Sequence, residues 1–508
     1  MIDINYILSK YPWDPKWLKL STPIDSLWEF ELKVSREDIW PYLIDTSSFN
    51  YRMGLPKFKY EEIEGRLHGT AKQVGIHLEW EEVPWEWEYL KEIGNARIYT
   101  KGFTHYLRSR FLLEPYGETR SRLYIYFGFI PKNIFMRKLL QISLPNVQKS
   151  FDLALKDIQR EIQVRANAAY ESSNLIQNPT SFVGDVQWLH PEKLDQEKPN
   201  LIKSGIKEEV IDSVYDYIRK TGDNDLYRIR VKEISKKLKI DFEEALKLFL
   251  FGCRHGLFTL SWDVICPHCR GVRTSLQKLG ELPEKDNCEA CGIDFETTGQ
   301  TGIEVTFHIH PSIRIVEKQF FCAAEPATKK HILLSKSVPP GKAFSSHLLL
   351  NHGVFRLRKK GENQFKIVEV DEKHVDREIV WLDEDKQNEI FVKSKPNLVF
   401  QNESSDPITI VLEERREDQF SLRPKELFNF NEFRDIFSEE AIATNLQLDI
   451  GVQTLLFTDI VGSTQFYETV GDHGAFLQVR EHFIKAYAIV KKEKGTIIKT
   501  IGDAIMAS

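Results

Sequence analysis

Four cysteines in two tight pairs, CPHC (266–269) and CEAC (288–291), restrict this chain more than any other feature. Eighteen residues separate the pairs, so the four thiols must be folded back onto one another. Each CxxC turn offers two thiolates, and together they complete the tetrahedral sulfur shell that zinc prefers. With Cys266, Cys269, Cys288 and Cys291 filling every position, a bound Zn²⁺ is expected to be structural, because a catalytic zinc keeps one position open. His268, inside the first pair, reads as a solvated turn residue. The other two cysteines, Cys253 and Cys322, stand alone. Paired spacing without a disulfide framework implies a reducing, cytoplasmic setting.

A chain of 508 residues is too long for one hydrophobic core, so the metal-bearing segment must be one of several units. Basic and acidic residues number 69 and 75, a net charge of −6, which argues against a protein built to coat nucleic acid. The N-terminus, MIDINYILSKYPWDPKW, lacks the basic-then-apolar pattern of a signal peptide. No apolar run reaches the roughly 20 residues that cross a bilayer. The expectation is a multidomain α+β protein of the cytoplasm, with no membrane span and no nucleic-acid partner.

Residues 20–167 form the first unit. Ser35 caps a short helix, alternating strands follow between Gly, Pro and Asn turns, and an amphipathic helix over 143–167 closes the unit. Its stripe is Val147, Phe151, Leu155 and Ile158. Short helix, antiparallel sheet and long helix resemble the helix-grip fold of the START-like, polyketide-cyclase-like superfamily, and so do the runs WEEVPWEWEYLKEI and FLLEP. That resemblance implies an apolar small-molecule ligand between sheet and helix. The alternative is that Trp80, Trp85, Trp87, Tyr124 and Tyr126 fill that core themselves.

Polar residues over 168–203 read as a linker. Residues 204–262 read as helix, turn, helix and hairpin, and resemble a winged helix-turn-helix. Its would-be recognition helix opens on Asp241, Glu243 and Glu244, where a DNA reader needs cations or amides. A zinc ribbon over 263–300 follows, then a β-sandwich over 301–430 that includes IEVTFHIHP, then a helical connector over 431–450 with Phe433, Phe437 and Ile442 as contact residues. This succession resembles an uncharacterised region found ahead of cyclase modules.

The last unit, 451–508, carries the chemistry. TLLFTDIVGST delivers Asp459 at the end of an apolar strand, and TIIKTIGDAIMAS presents Asp503 in a hairpin turn. Between them runs a helix expected over roughly 472–494, with Ser463 and Thr464 as caps for the chain leaving Gly462. Two carboxylates on neighbouring strands can hold two Mg²⁺ ions, and the amides around Gly462 suit a phosphate tail.

FTDIVGST and IKTIGDAIMA closely resemble the two metal-site motifs of class III adenylate/guanylate cyclases. The resemblance implies a ferredoxin-like catalytic domain, of which these residues are the N-terminal part, acting as a head-to-tail homodimer. It implies that Asp459, Asp503 and the Ile460 carbonyl bind two Mg²⁺ (or Mn²⁺) ions. It implies conversion of ATP to 3′,5′-cyclic AMP and pyrophosphate, regulated by the N-terminal units. Gly462, Ser463 and Thr464 would hold phosphate, and Lys499 would recognise the base. A Lys donates to a ring nitrogen of adenine, whereas guanine calls for an acceptor, so ATP is expected over GTP. The family's second base-recognition residue, and its Asn and Arg that act on ribose and transition state, have no counterpart here. The 508-residue chain is therefore expected to be catalytically inactive by itself. The alternatives are a guanylate cyclase, or a ligand-sensing scaffold with a degenerate cyclase domain.

Overall fold

The computed structural model describes residues 2–73, 75–171, 190, 192–297, 302–318, 320–375, 377–381, 388–415, 418–437, 454–493, 495 and 497–507. The N-terminal unit is built as a sheet gripping a helix. The strand Ile24–Leu32 leads into the helices Arg36–Ile44 and Thr46–Arg52, then into six strands from Lys59–Ile63 to Ser121–Pro131. Every neighbouring pair is antiparallel, and the first strand returns beside the last with Ile24 opposite Phe129. The closing helix, Ile134–Glu171, begins nine residues earlier than the apolar stripe suggests and runs through Pro145. Ser35 caps its helix as expected, accepting from Asp38 N–H at 3.1 Å.

Rings occupy the space between sheet and long helix. Phe151 lies within 6 Å, centroid to centroid, of Trp28, Phe49, Phe111 and Phe127. The five aromatics singled out from sequence are all buried, but not together. Trp85 and Trp87 join the Phe151 core, Trp80 packs with Phe58 and Tyr99, and Tyr124 and Tyr126 face the other side of the sheet against Ile7. Alternation along Ser121–Pro131 turns Tyr124 and Tyr126 to the opposite face from Leu123 and Ile125; Trp80 and Trp85 share a face, because a β-bulge between Val83 and Glu86 resets the parity, and both indoles donate to the Glu82 carboxylate.

Two sequence boundaries shift. Within the expected linker 168–203, the segment Glu192–Lys203 is a helix with Leu194 and Leu201 buried. Those leucines sit two turns apart, so one face packs even though the rest is polar; residues 172–189 and 191 lie outside the described residues. The strand Ile303–Ile309, expected to open the sandwich, instead pairs along its length with Phe258–Ile265, Phe307 opposite Leu260. Ile229 and Phe307 exchange backbone hydrogen bonds of 2.8 and 2.9 Å. The winged-helix-like unit therefore consists of Glu208–Lys220, Val231–Leu238 and Phe242–Arg254 with that sheet, and the ribbon is an insertion in its wing. The would-be recognition helix is covered: Phe430 meets Phe242 edge-on, and Glu432 pairs with Lys247 at 3.4 Å.

Asp263 anchors this unit. Fully buried, it accepts from Arg228 Nε at 2.5 Å and from the hydroxyls of Ser261 and Thr306 at 2.7 Å. Burial opposes its charge, but Arg228 and the two hydroxyls outweigh it and hold its carboxyl below the usual range. A lowered folded-state value means the stabilisation is present above the unfolded carboxylate value near 3.9 and is lost as pH falls through the folded one. Urea midpoints of the wild type are expected to drop on acidification below about pH 4. Asp263→Asn is expected to cost about 1–3 kcal/mol at neutral pH and to flatten that acid limb, as denaturation at a series of pH values would read.

The sandwich proper begins at Ile332–Val338. This strand pairs with Ile408–Glu414 on one side and, through Leu334–Glu88 and Ser335–Trp87, with the N-terminal unit on the other. One twelve-stranded sheet thus runs through both units. The strand Ile76–Glu88, thirteen residues long, leaves its end free to accept the newcomer, and Trp87 Nε1 donates to the Ile332 carbonyl at 2.8 Å. The opposing layer is the three-stranded sheet of Ala343–His347, Asn397–Gln401 and Ile379–Trp381.

Candidate functional site

The structure brings two groups of the expected residues together, each in a different manner. At the first, the strand Phe258–Ile265 delivers Cys266 and the hairpin Lys285–Cys288/Ile293–Glu296 delivers Cys288 and Cys291. The turns are formed by hydrogen bonds from Arg270 N–H to the Cys266 carbonyl (2.9 Å) and from Gly292 N–H to the Cys288 carbonyl (2.7 Å). Gly292 has φ +69°, which a glycine adopts without strain. All four sulfurs lie within 4.8 Å of one another, all four residues are buried, and no disulfide joins them. His268 N–H points at the Cys266 sulfur at 3.4 Å. Four buried thiols crowded together fit a tetrahedral thiophilic metal such as zinc.

His268 is not the solvated turn residue expected: it is 4% exposed. The ribbon turns are pressed against the sandwich, and that is what buries it. Arg356 Nη2 donates to the Pro267 carbonyl at 2.8 Å, His331 Nε2 to the His268 carbonyl at 2.8 Å, and Gly361 N–H to the Cys291 carbonyl at 2.9 Å. Burial, aided by Arg270, pushes the His331 imidazole down to about 4, so it is neutral and donates its single N–H here. Arg356 and Arg358 are in turn held by the buried Glu413. None of these supporting groups was legible beforehand, because they lie at least forty residues beyond Cys291 and carry no spacing signature.

Beside the cysteine turns, a cleft of about 1230 Å³ opens between the outer face of the N-terminal sheet and the sandwich. Its lining includes Tyr11, Glu92, Arg110, Lys336, Lys329 and Cys291. Burial disfavours the Glu92 charge, but Lys336, Arg110 and Lys10 hold its carboxyl well below the usual range.

At the second site, the strand Leu456–Thr458 runs antiparallel to Ala504–Ala507, which also forms a hairpin with Ile497–Ile501. The pair Thr458–Ile505 is the last in register, so Asp459 and Asp503 both emerge just beyond the same end of these strands. Asp459 is exposed and its Oδ1 accepts from Ile460 N–H at 3.1 Å. Asp503 is half-buried, and its Oδ2 is enclosed without a hydrogen-bond partner, as is Thr458 Oγ1. An enclosed, unpartnered carboxylate oxygen fits a cation ligand.

The chain between the carboxylates differs in detail from expectation. Ser463 and Thr464 are not caps but the first residues of the helix Ser463–Val470; Gly462 takes the cap position at φ +71°, with no side-chain cap bond. The Ile460 carbonyl accepts from Ser463 N–H at 3.3 Å. A second helix, Asp472–Lys492, follows. Lys499 is exposed, opposite Met506 on the hairpin. Of the connector 431–450, Asn431–Ile436 is helical, with Phe433 buried and stacked on Phe437 at 5.1 Å. Ile442 lies outside the described residues. Arg434 Nη1 donates to the Ile497 carbonyl at 3.3 Å, joining the connector to the carboxylate-bearing unit.

Residues 195–327, which include the winged-helix-like helices and all four paired cysteines, match a family of unknown function, DUF5939. No curated protein matches the chain. Similar solved structures, over the N-terminal part, include the Zhui aromatase/cyclase from Streptomyces sp. R1128, 12% identical, covering 28% of this chain and 96% of its own, with a TM-score of 0.24. Another is a START superfamily protein from Mycobacterium smegmatis, 14% identical over 26% of this chain and 98% of its own, TM-score 0.21. A third is a conserved protein from Geobacillus kaustophilus, 19% identical over 28% and 95%, TM-score 0.22. No helix among the described residues is long and apolar enough to cross a membrane.

Proposed function

We propose that this chain carries the metal half-site of a class III adenylate cyclase, governed by the units that precede it and stabilised by a structural Zn²⁺ at Cys266, Cys269, Cys288 and Cys291. The observation that supports it best is the shared register that brings Asp459 and Asp503 to one strand end, with Asp503 Oδ2 enclosed and unpartnered. Both carboxylates, with the Ile460 carbonyl, would hold the divalent cations. Mg²⁺ or Mn²⁺ bound there supplies neutralisation of the triphosphate and activation of the attacking ribose oxygen. Backbone amides of Gly462 and Thr464, at the start of a helix, would donate to phosphate oxygens, and Ser463 would join them by its hydroxyl, its N–H being taken by the Ile460 carbonyl. Lys499, exposed on its strand, is free to donate to an adenine nitrogen, in a head-to-tail homodimer to the base held by the partner's carboxylates.

In a complete cyclase domain that supplies the ribose and transition-state residues, replacing Asp459 by Asn is expected to abolish cyclic AMP formation from ATP while leaving circular dichroism and melting unchanged. Mn²⁺ binding to the 508-residue chain is expected to weaken at least about tenfold in Asp459→Asn and in Asp503→Asn. Undiminished cyclic AMP formation by the Asn variant would remove the metal assignment. GTP preferred over ATP would retain the assignment and reverse the reading of Lys499.

A further inference from the structure

The long helix Ile134–Glu171 has a second apolar face. At about 100° per residue, Leu140, Leu144, Phe151, Leu155 and Ile158 fall in one sector and are buried against the sheet. The opposite sector holds Phe135, Leu139, Ile142, Leu153 and Val164, with Ile134 at its edge; all are 42–76% exposed. A surface helix of a soluble domain ordinarily turns polar residues outward. Here the outward sector is apolar with cations between: Lys138, Lys149, Lys156 and Arg160 are all exposed on it.

Its charge is one-sided. Asp157 is taken by Arg52, and Asp152 by Lys156. Lys138, Lys149 and Arg160 have no carboxylate partner among the described residues. Alternating apolar and basic residues over about 45 Å of helix, in a chain of net charge −6, form a local field opposite to that of the whole molecule.

A second copy of this face would set cation against cation, so charge argues against self-pairing. An interface between water and acyl chains headed by anionic lipid satisfies both components at once: the apolar side chains enter the acyl boundary and the amines meet phosphates. We propose that the outer face of the helix Ile134–Glu171 docks this protein, without spanning, onto an anionic membrane surface.

The test is co-sedimentation of the 508-residue chain with phosphatidylcholine vesicles, alone or with about 25% phosphatidylserine. Binding to the anionic vesicles should exceed that to the neutral ones by at least about tenfold and fall with added salt. The double variants Phe135→Ser/Ile142→Ser and Lys138→Glu/Lys149→Glu, all exposed positions, should each lose about tenfold in binding with unchanged melting. Absence of vesicle binding, or binding that both double variants retain, overturns the proposal. So does a wild-type dimer by light scattering that Phe135→Ser/Ile142→Ser converts to monomer, because the face then belongs to a second copy.

Discussion

Chelating the metal from the four-cysteine centre, or replacing Cys266 by Ser, is expected to lower the thermal midpoint by at least about 10 °C. Structural zinc contributes its binding free energy to folding, about 10–16 kcal/mol in small zinc-binding peptides. In this chain the loss reaches further than the ribbon. The carbonyls of Pro267, His268 and Cys291 each accept a hydrogen bond from the sandwich. Arg270 returns one to the Glu414 carbonyl at 3.0 Å. Turns that no longer close around a metal cannot hold those carbonyls in place, so the seam between ribbon and sandwich should open with the site. Calorimetry before and after chelation, with metal content measured alongside, reads the first effect; proteolysis within 266–297 reads the second. A metal-free protein that melts at the original temperature would show that the thiols alone support the fold.

Glu413→Gln is expected to cost about 3–5 kcal/mol. Glu413 is 1% exposed and holds two guanidinium groups at once: Arg358 through Nε at 3.1 Å and Nη2 at 3.3 Å, and Arg356 through a shorter contact. Arg358 is itself fully enclosed, so removing the charge leaves a buried cation without its counter-ion. Such a loss is severe because the cation keeps its desolvation cost while the attraction disappears. Arg356 would also lose the group that fixes its reach to the Pro267 carbonyl, which makes the metal turn a second casualty. Urea denaturation gives the magnitude; rescue by joint replacement of Glu413 and Arg358 with Met and Leu would separate charge imbalance from shape. A shift below about 1 kcal/mol would mean that water reaches the pair and screens it.

Much that was encoded locally could be read from the sequence, though the caps expected at Ser463 and Thr464 fell to Gly462. The CxxC pairs specified their own turns, Ser35 its cap, and the run to Asp459 its strand end, since each depends on neighbours within a few residues. Strand partners were a different matter. IEVTFHIHP reads as a clean alternating strand, but alternation gives faces and not neighbours, so its pairing with Phe258–Ile265 across an inserted ribbon was invisible. The helix Glu192–Lys203 was hidden by its polar residues, because two leucines suffice to seat it on a core that lies elsewhere in the chain. For the carboxylates, motif and register agree on placement; the enclosure of Asp503 Oδ2 is a property of the folded hairpin alone.

The shared sheet has a mechanical consequence. Where Ser335 pairs with Trp87, the N-terminal unit and the sandwich are joined by backbone ladder, a weld in place of a hinge. A ligand that deforms one of them cannot be accommodated by swivelling at that boundary; the deformation must be carried onward or resisted. The cysteine turns, by their hydrogen bonds to the sandwich, join it to the winged-helix-like unit as well.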